Sequence, residues 1–382
     1  MKRSWRFPVL WMCALLLSAL PAQAADPIRI GVLAPLVGAA ADDGLNVKNS
    51  CELAAEKINA AGGILGRKVE LVVYDDRADP KEAIPLANRL IQKDRVAAVV
   101  GGSYSFPSRA VATVFQDEEI PFVAAYAVHP GITQAGSFCF RNGFLGIVEG
   151  RAIAKVLDRD LKVQRVALLY PDNDFGRTMA QGFREYMKLR PSSMTVVYET
   201  TCAGSEKDFR PLLTKMRARN PQAAVASGYY FQTGLLLDQA RQMGLKTPFI
   251  GEQGSDSPLL LKIAGKSAEG FLMATNLDRD DPDPVAKEYL TAYRKRFGND
   301  PNMCGGSAYD SMLLLAEAIR RSGSAEPAAI CKALQGIQLR GVTGLIRFAP
   351  NREVIRPVQI QIVRDGKFRH YSVVKEMDLI RP

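Results

Sequence analysis

The chain has 382 residues, of which 47% are hydrophobic, 24% charged and 8% aromatic, with a formal net charge of +10 at pH 7. This composition excludes a disordered or collagen-like chain, and the length predicts two or three domains at roughly 150 residues each. Lys2, Arg3 and Arg6 precede an uncharged stretch from Phe7 to Leu20, then Pro21 and the small-x-small run Ala22-Gln23-Ala24. That layout predicts a secretory signal peptide at 1–24, cleaved after Ala24 on export. The uncharged stretch is 14 residues long, short of the roughly 20 that a membrane-spanning helix needs. Cleavage leaves 358 residues and, with three basic residues gone, a charge of +7.

After the leader, short β-branched runs alternate with amphipathic stretches. Strands are predicted at 28–34, 69–74, 96–100 and 122–125, with helices at 44–61, 80–93 and 105–116 between them. Pro80 falls in the first turn of its helix, where no amide donor is missed. The pattern breaks near Arg141 to Leu145 and restarts. Strands follow at 166–170, 195–198, 223–227, 249–251 and 270–274, with helices at 175–189, 207–219, 233–243 and 258–263. Helices then come without strands at 284–297, 308–321 and 327–334. The chain ends in β structure at 358–363 and 368–374, joined by Asp365-Gly366, a hairpin turn signal. Such alternation predicts an α/β fold with parallel sheets covered by helices. Ligands of such sheets sit beyond the carboxyl ends of the strands.

The chemistry in the sequence argues against an enzyme. After the leader there are two histidines, His129 and His370, and no GxSxG, HExxH, Walker or GxGxxG motif. Gly62 to Lys68 has the wrong spacing for a phosphate loop and precedes a strand, so it reads as a helix cap and turn. Asp75-Asp76 could hold a metal but reads better as a turn, with Asp79 capping the helix that Pro80 begins. Asp278 to Asp283 lacks calcium-loop spacing and reads as a surface loop. Cys51, Cys139, Cys202, Cys304 and Cys331 are far apart and form no zinc pattern. Five is odd, so at least one thiol is free or pairs between chains. No catalytic residue, metal site or cofactor is predicted. Basic and acidic residues are interspersed, as at Glu206, Lys207, Asp208 and Arg210, so no nucleic-acid partner is expected. No later segment has 18 consecutive apolar residues.

Gly101 to Ser108 (GGSYSFPS) follows the third strand and opens a helix. Its two glycines permit close backbone approach to a ligand. Ser103 or Ser105 can cap the helix, and free amides there attract a carboxylate or another acceptor.

Several blocks carry a resemblance to a known family. They are Ile58-Asn59-Ala60-Ala61-Gly62-Gly63-Ile64-Leu65-Gly66-Arg67, Tyr74-Asp75-Asp76 with Asp79-Pro80, and Gly204 to Phe209. Gln239-Ala240-Arg241 with Gly244 to Thr247, and Ala268-Glu269-Gly270, complete the set. With them the chain resembles the type I periplasmic binding proteins of ABC importers, in their leucine/isoleucine/valine-binding group. The resemblance implies two Rossmann-like lobes joined by three crossovers, closing on a ligand by hinge motion. The crossovers would fall near 141–145, 274–277 and 341–344, dividing the chain into a first lobe of 25–142 plus 276–342 and a second of 143–275 plus 343–382.

The resemblance also implies a pocket. Ser105 matches the serine that holds the ligand carboxylate, Tyr229 a tyrosine of the second lobe, and Phe175 an aromatic residue covering the ligand from that lobe. The chain departs from the pattern at three places. The threonine that receives the ligand's amino group is Val128, with Tyr126 in place of a small residue before it. The acidic partner of that amino group is Gln253, so Glu252 or Asp256 must take over or the ligand must lack an ammonium. The first-lobe aromatic position falls at Asp43, which could serve the amino group or face solvent. Tyr104, Tyr126, Phe175 and Tyr229 form a set suited to planar or cationic ligands. The implied function is periplasmic capture of a small ligand for an inner-membrane ABC permease, by a monomer. The ligand is a branched-chain-type amino acid or, alternatively, an aromatic or aliphatic carboxylate or an amide. The same fold also suits a ligand sensor for a signalling partner.

Overall fold

The computed structural model describes residues 26–382; the signal peptide and cleavage site expected from the sequence lie outside them. β1 (Ile28–Ala34) is buried along almost its whole length, as a strand covered on both faces must be. α1 (Ala41–Ala60) returns the chain to β2 (Val69–Asp75). α2 (Pro80–Gln92) begins at Asp79, whose carboxylate accepts the Lys81 amide at 2.9 Å. β3 (Ala98–Gly101), α3 (Ser105–Asp117), β4 (Phe122–Ala124) and β5 (Cys139–Arg141) follow. The five strands lie in the order β2-β1-β3-β4-β5, all parallel.

The chain then enters a second lobe through α4 (Gly146–Lys155), β6 (Arg165–Pro171), α5 (Asp174–Leu189) and β7 (Thr195–Cys202). α6 (Arg210–Ala218), β8 (Ala223–Ala226), α7 (Tyr230–Gln242), β9 (Phe249–Gly251), α8 (Pro258–Ala264) and β10 (Leu272–Thr275) continue it. α9 (Pro284–Phe297), α10 (Met303–Ser322) and α11 (Pro327–Gln335) go back to the first sheet, where Tyr289, Tyr293, Met312 and Leu315 join Val32, Val47 and Val100 in one core. A small antiparallel sheet of β11 (Gln338–Gly341), β12 (Gly344–Phe348) and β13 (Val354–Ile355) follows. β14 (Val358–Arg364), β15 (Lys367–Val374) and α12 (Met377–Ile380) end the chain on the second lobe. The second sheet runs β15-β14-β10-β9-β8-β6-β7, parallel except for the hairpin β14–β15, which is antiparallel and also pairs so with β10.

The chain passes between the cores three times. Phe140 belongs to the first and Phe144 to the second; Ala274 belongs to the second and Leu277 to the first. Gly341 and Gly344, where a third passage is expected from the sequence, instead flank the β11–β12 turn. Val342, Ile346 and Val354 pack on the first core, and Val358 is the next buried residue of the second. The physical tie is a buried ion pair between Arg141 of β5 and Glu353, which holds the small sheet to the first lobe.

Two expectations about the Gly101 to Ser108 segment are also corrected. Gly101 (φ +109°) and Gly102 (φ +68°) meet protein, not ligand: a Cβ at Gly101 would overlap the Leu33 carbonyl, and one at Gly102 would crowd Ser108 and Phe122. Neither serine caps α3. Its N-cap is Tyr104, while Ser103 donates its hydroxyl to Asp76. Asp75 accepts the amides of Leu36 and Arg77, and Asp76 that of Ala78, so this acidic pair holds a turn. The five cysteines among the described residues are all free thiols.

Candidate functional site

The eight residues singled out in the sequence share one narrow cavity between the lobes, with free space of about 20 Å³. Seven stand just past the carboxyl end of a strand, and Asp43 stands nine residues beyond β1, in the first turn of α1. Asp43 follows β1, Tyr104 and Ser105 follow β3, and Tyr126 and Val128 follow β4; Phe175 follows β6, Tyr229 β8 and Gln253 β9. Parallel strands leave their carboxyl ends on one edge, so two facing lobes aim six such loops at a common space.

Aromatic rings fill much of this space. Tyr104 of the first lobe stacks on Tyr229 of the second with ring centroids 4.5 Å apart. Phe175 also stacks on Tyr229 at 5.1 Å, and Tyr126 meets Tyr104 edge-on at 6.3 Å. Gly254 is needed beside them, since a Cβ there would crowd the Phe175 ring.

Ser105 is buried at the first position of α3, where the opening amides have no helical partner. Its hydroxyl oxygen accepts the Val128 amide at 3.3 Å, which leaves its proton for a ligand acceptor. The Val128 side chain adds only apolar surface. Gln253 bridges the lobes: its Nε2 donates to the Tyr126 carbonyl at 3.1 Å and its amide to Glu149 at 3.2 Å. Its Oε1 is buried without a partner, as is the Tyr126 hydroxyl.

Neither acid expected to replace the one missing at Gln253 lines the cavity. Glu252 is fully buried, accepts the Ser227 hydroxyl, and is held above the usual carboxylate range by its burial. Asp256 is paired with Arg279 and accepts the Thr275 hydroxyl. Asp43 is the carboxyl group that does line it. Tyr104 Oη donates to Asp43 Oδ2 at 2.8 Å and Asn302 Nδ2 to Oδ1 at 2.8 Å. Of the two readings open for Asp43, facing the amino group or facing solvent, its 4% exposure excludes the second.

Four lining residues were not anticipated: Ala127, Gly254, Met303 and Cys304. The last two open α10, which begins five residues earlier than its apolar pattern indicates. Asn302 was the available signal, since it caps the helix by accepting the Gly305 amide at 3.1 Å.

The lobes touch around the cavity. Arg109 of α3 pairs with Asp174 of α5 at 2.9 Å, with His129 Nε2 3.4 Å from the guanidinium. Tyr230 Oη donates to the Ala39 carbonyl and Ser257 Oγ to Asp42, both at 2.7 Å. The arrangement is a closed clamp around a small space. Among the described residues no group of three or more His, Cys, Asp and Glu side chains is placed to hold a metal ion, and no helix is long and apolar enough to cross a membrane.

Known proteins share this architecture. A family model described as periplasmic binding protein matches residues 27–367. The leucine-, isoleucine-, valine-, threonine- and alanine-binding protein of Pseudomonas aeruginosa is 30% identical over 327 residues, covering 85% of this chain and 87% of its own. A branched-chain amino acid transporter substrate-binding protein from Streptococcus pneumoniae, solved with isoleucine, superposes with a TM-score of 0.86 at 27% identity, covering 92% of this chain and 100% of that one. A solute-binding protein of an ABC transporter from Rhodopseudomonas palustris, solved with 3,4-dihydroxybenzoic acid, gives 0.84 at 24% identity, over 91% and 97% of the two chains. At that identity the last likeness bears on the fold alone.

Proposed function

The chain belongs to the periplasmic binding protein family, in its leucine/isoleucine/valine-binding group, and from that premise we propose that it is exported, captures a small carboxylate ligand and presents it to an ABC permease. The proposed ligand is an amino acid of the branched-chain type. The observation that carries this reading is Ser105, buried at the start of α3 with a free hydroxyl proton, under Phe175 and Tyr229 of the opposite lobe. A carboxylate at Ser105 would accept from that hydroxyl and the first α3 amides, with the helix dipole favouring its charge. Closure of the second lobe would then exclude water with Phe175 and Tyr229. The role is binding without chemistry, by a monomer.

The proposed first lobe is 25–142 with 276–354, and the second is 143–275 with 355–382, because Val354 belongs to the first core while Ile355 packs on the second and Val358 belongs to it. Export would remove 1–24, and the mass of the protein recovered from the periplasm tests cleavage after Ala24.

A second ligand reading, an aromatic carboxylate, draws support from the Phe175–Tyr229–Tyr104 stack, which suits a planar guest. Titration calorimetry of the mature protein against leucine, isoleucine, valine and benzoate separates the two. In Ser105→Ala the loss of a hydrogen bond to a charged group, worth about 1.5–3 kcal/mol, predicts roughly 10- to 100-fold weaker binding of whichever carboxylate is taken. Unchanged affinity would sink the carboxylate anchor.

A further inference from the structure

Asp43 is a buried carboxyl group in a cavity that offers it no cation. No Lys, Arg or His lines the cavity, and Asp43 takes part in no ion pair among the described residues. The groups facing it are acidic or neutral: Asp42 beside it on α1, Asp256 across the cleft, and around it Tyr104, Tyr126, Tyr229, Tyr230 and Cys304. The nearby cations serve other carboxylates, Arg279 pairing with Asp256 and Lys262 facing Asp42. Tyr104 and Asn302 donate one hydrogen bond to each Asp43 oxygen, and a carboxylate can accept more. Two further cavity atoms, Gln253 Oε1 and the Tyr126 hydroxyl, are buried without partners, and both can accept an N–H. The walls are tyrosine and phenylalanine rings, whose faces attract cations.

We propose that the ligand carries an ammonium group and that Asp43, on the first lobe, is its counter-ion. The assignment rests on the reading of a ligand held between the lobes at Ser105, and it narrows that ligand to a zwitterion. It moves recognition of the positive charge from Gln253 on the second lobe and Val128 on the first, both uncharged, to the start of α1. It also gives closure a selectivity step. Shutting the empty clamp strips water from Asp43, which burial pushes up to about 7. A ligand ammonium would supply the missing charge, whereas a carboxylate without nitrogen would leave the group to be neutralised by a proton.

Calorimetry of the mature protein with leucine and with 4-methylpentanoate, the same skeleton without the amino group, reads this directly. At pH 8 leucine is expected to bind about 100-fold more tightly, the scale of removing one member of a buried charge pair. Asp43→Asn should abolish that preference by weakening leucine and leaving 4-methylpentanoate equal or stronger. Between the ordinary carboxylate range and about pH 7 the closed state binds more protons than the open one, so acid favours closure over a guest that brings no ammonium. Binding of 4-methylpentanoate should therefore strengthen from pH 8 to 6 in the wild type and stay level in Asp43→Asn. Tyr104→Phe removes a hydrogen bond but no charge, so it should keep the preference; this separates counter-charge from shape. Equal binding of the two ligands by the wild type, or a preference that survives Asp43→Asn, overturns the assignment. So does selective binding of benzoate with no amino acid bound, which still leaves ligand capture standing. Binding of leucine that is indifferent to Ser105→Ala but lost in Asp43→Asn would instead keep the counter-ion and overturn the Ser105 anchor.

Discussion

Arg141 shows how one side chain can fix the course of the chain. It is fully buried at the end of β5, and its Nε donates to Glu353 at 2.8 Å. Thr133 also donates to Glu353, so the carboxylate is held from two sides. Breaking such a pair strands the remaining charge, at a cost of about 3–5 kcal/mol. Arg141→Met is therefore expected to lower urea stability by that amount, and the double variant Arg141→Met with Glu353→Leu to recover most of it. Equal loss in the single and double variants would show that packing, not charge, is at stake. At this scale the sequence was readable for the cavity and poorly readable for the scaffold. Ser105, Phe175 and Tyr229 were placed through the family resemblance, and the convergence of loops after parallel strands explains why they meet. The Arg141–Glu353 partnership spans 212 positions and leaves no local pattern. The glycines at 101 and 102 carried a true signal of close approach, but sequence cannot say whether the approaching group is ligand or, as here, the Leu33 backbone.

Among the elements, α4 is a ten-residue helix that the pattern of alternation hid. It is buried on most sides, including Gly146, Val148, Gly150, Ala152 and Ile153. A helix covered all round loses the polar face that marks helical periodicity. It packs on α5 through glycines: a Cβ at Gly150 would overlap the Met179 carbonyl, and one at Gly182 the Ile147 carbonyl. Gly182→Ala is therefore expected to cost about 1–3 kcal/mol by overpacking, seen as a lower denaturation midpoint with ligand affinity little changed. A neutral result would mean that the two helices can separate freely. α1, α2, α5 and the β14–β15 hairpin were legible because each keeps a local device: an exposed face, the Asp79-Pro80 cap, or the Asp365-Gly366 turn. The strands at 338–355 were not, since they form a small sheet whose partners are one another.

For the molecule as a whole, the contacts around the cleft set how strongly a ligand is held. Affinity in a clamp scales with the fraction of protein in the binding-competent closed form. Arg109 and Asp174 contribute to that fraction from opposite lobes, 2.9 Å apart and each about one-third exposed. Pairs this exposed give 0 to about 1 kcal/mol, and salt screens them. Neither residue lines the inner cavity, so Arg109→Ala should act on closure and leave ligand selectivity alone. The expected result is an affinity loss of up to about fivefold. It should appear as faster dissociation in stopped-flow measurements, because opening must precede release. Raising the salt to about 1 M, where the Debye length falls to about 3 Å, should bring wild type and variant together. An affinity loss that persists at high salt would place the effect in α3 packing; no loss at low salt would leave Tyr230–Ala39, Asp42–Ser257 and the ring stack to hold the clamp shut.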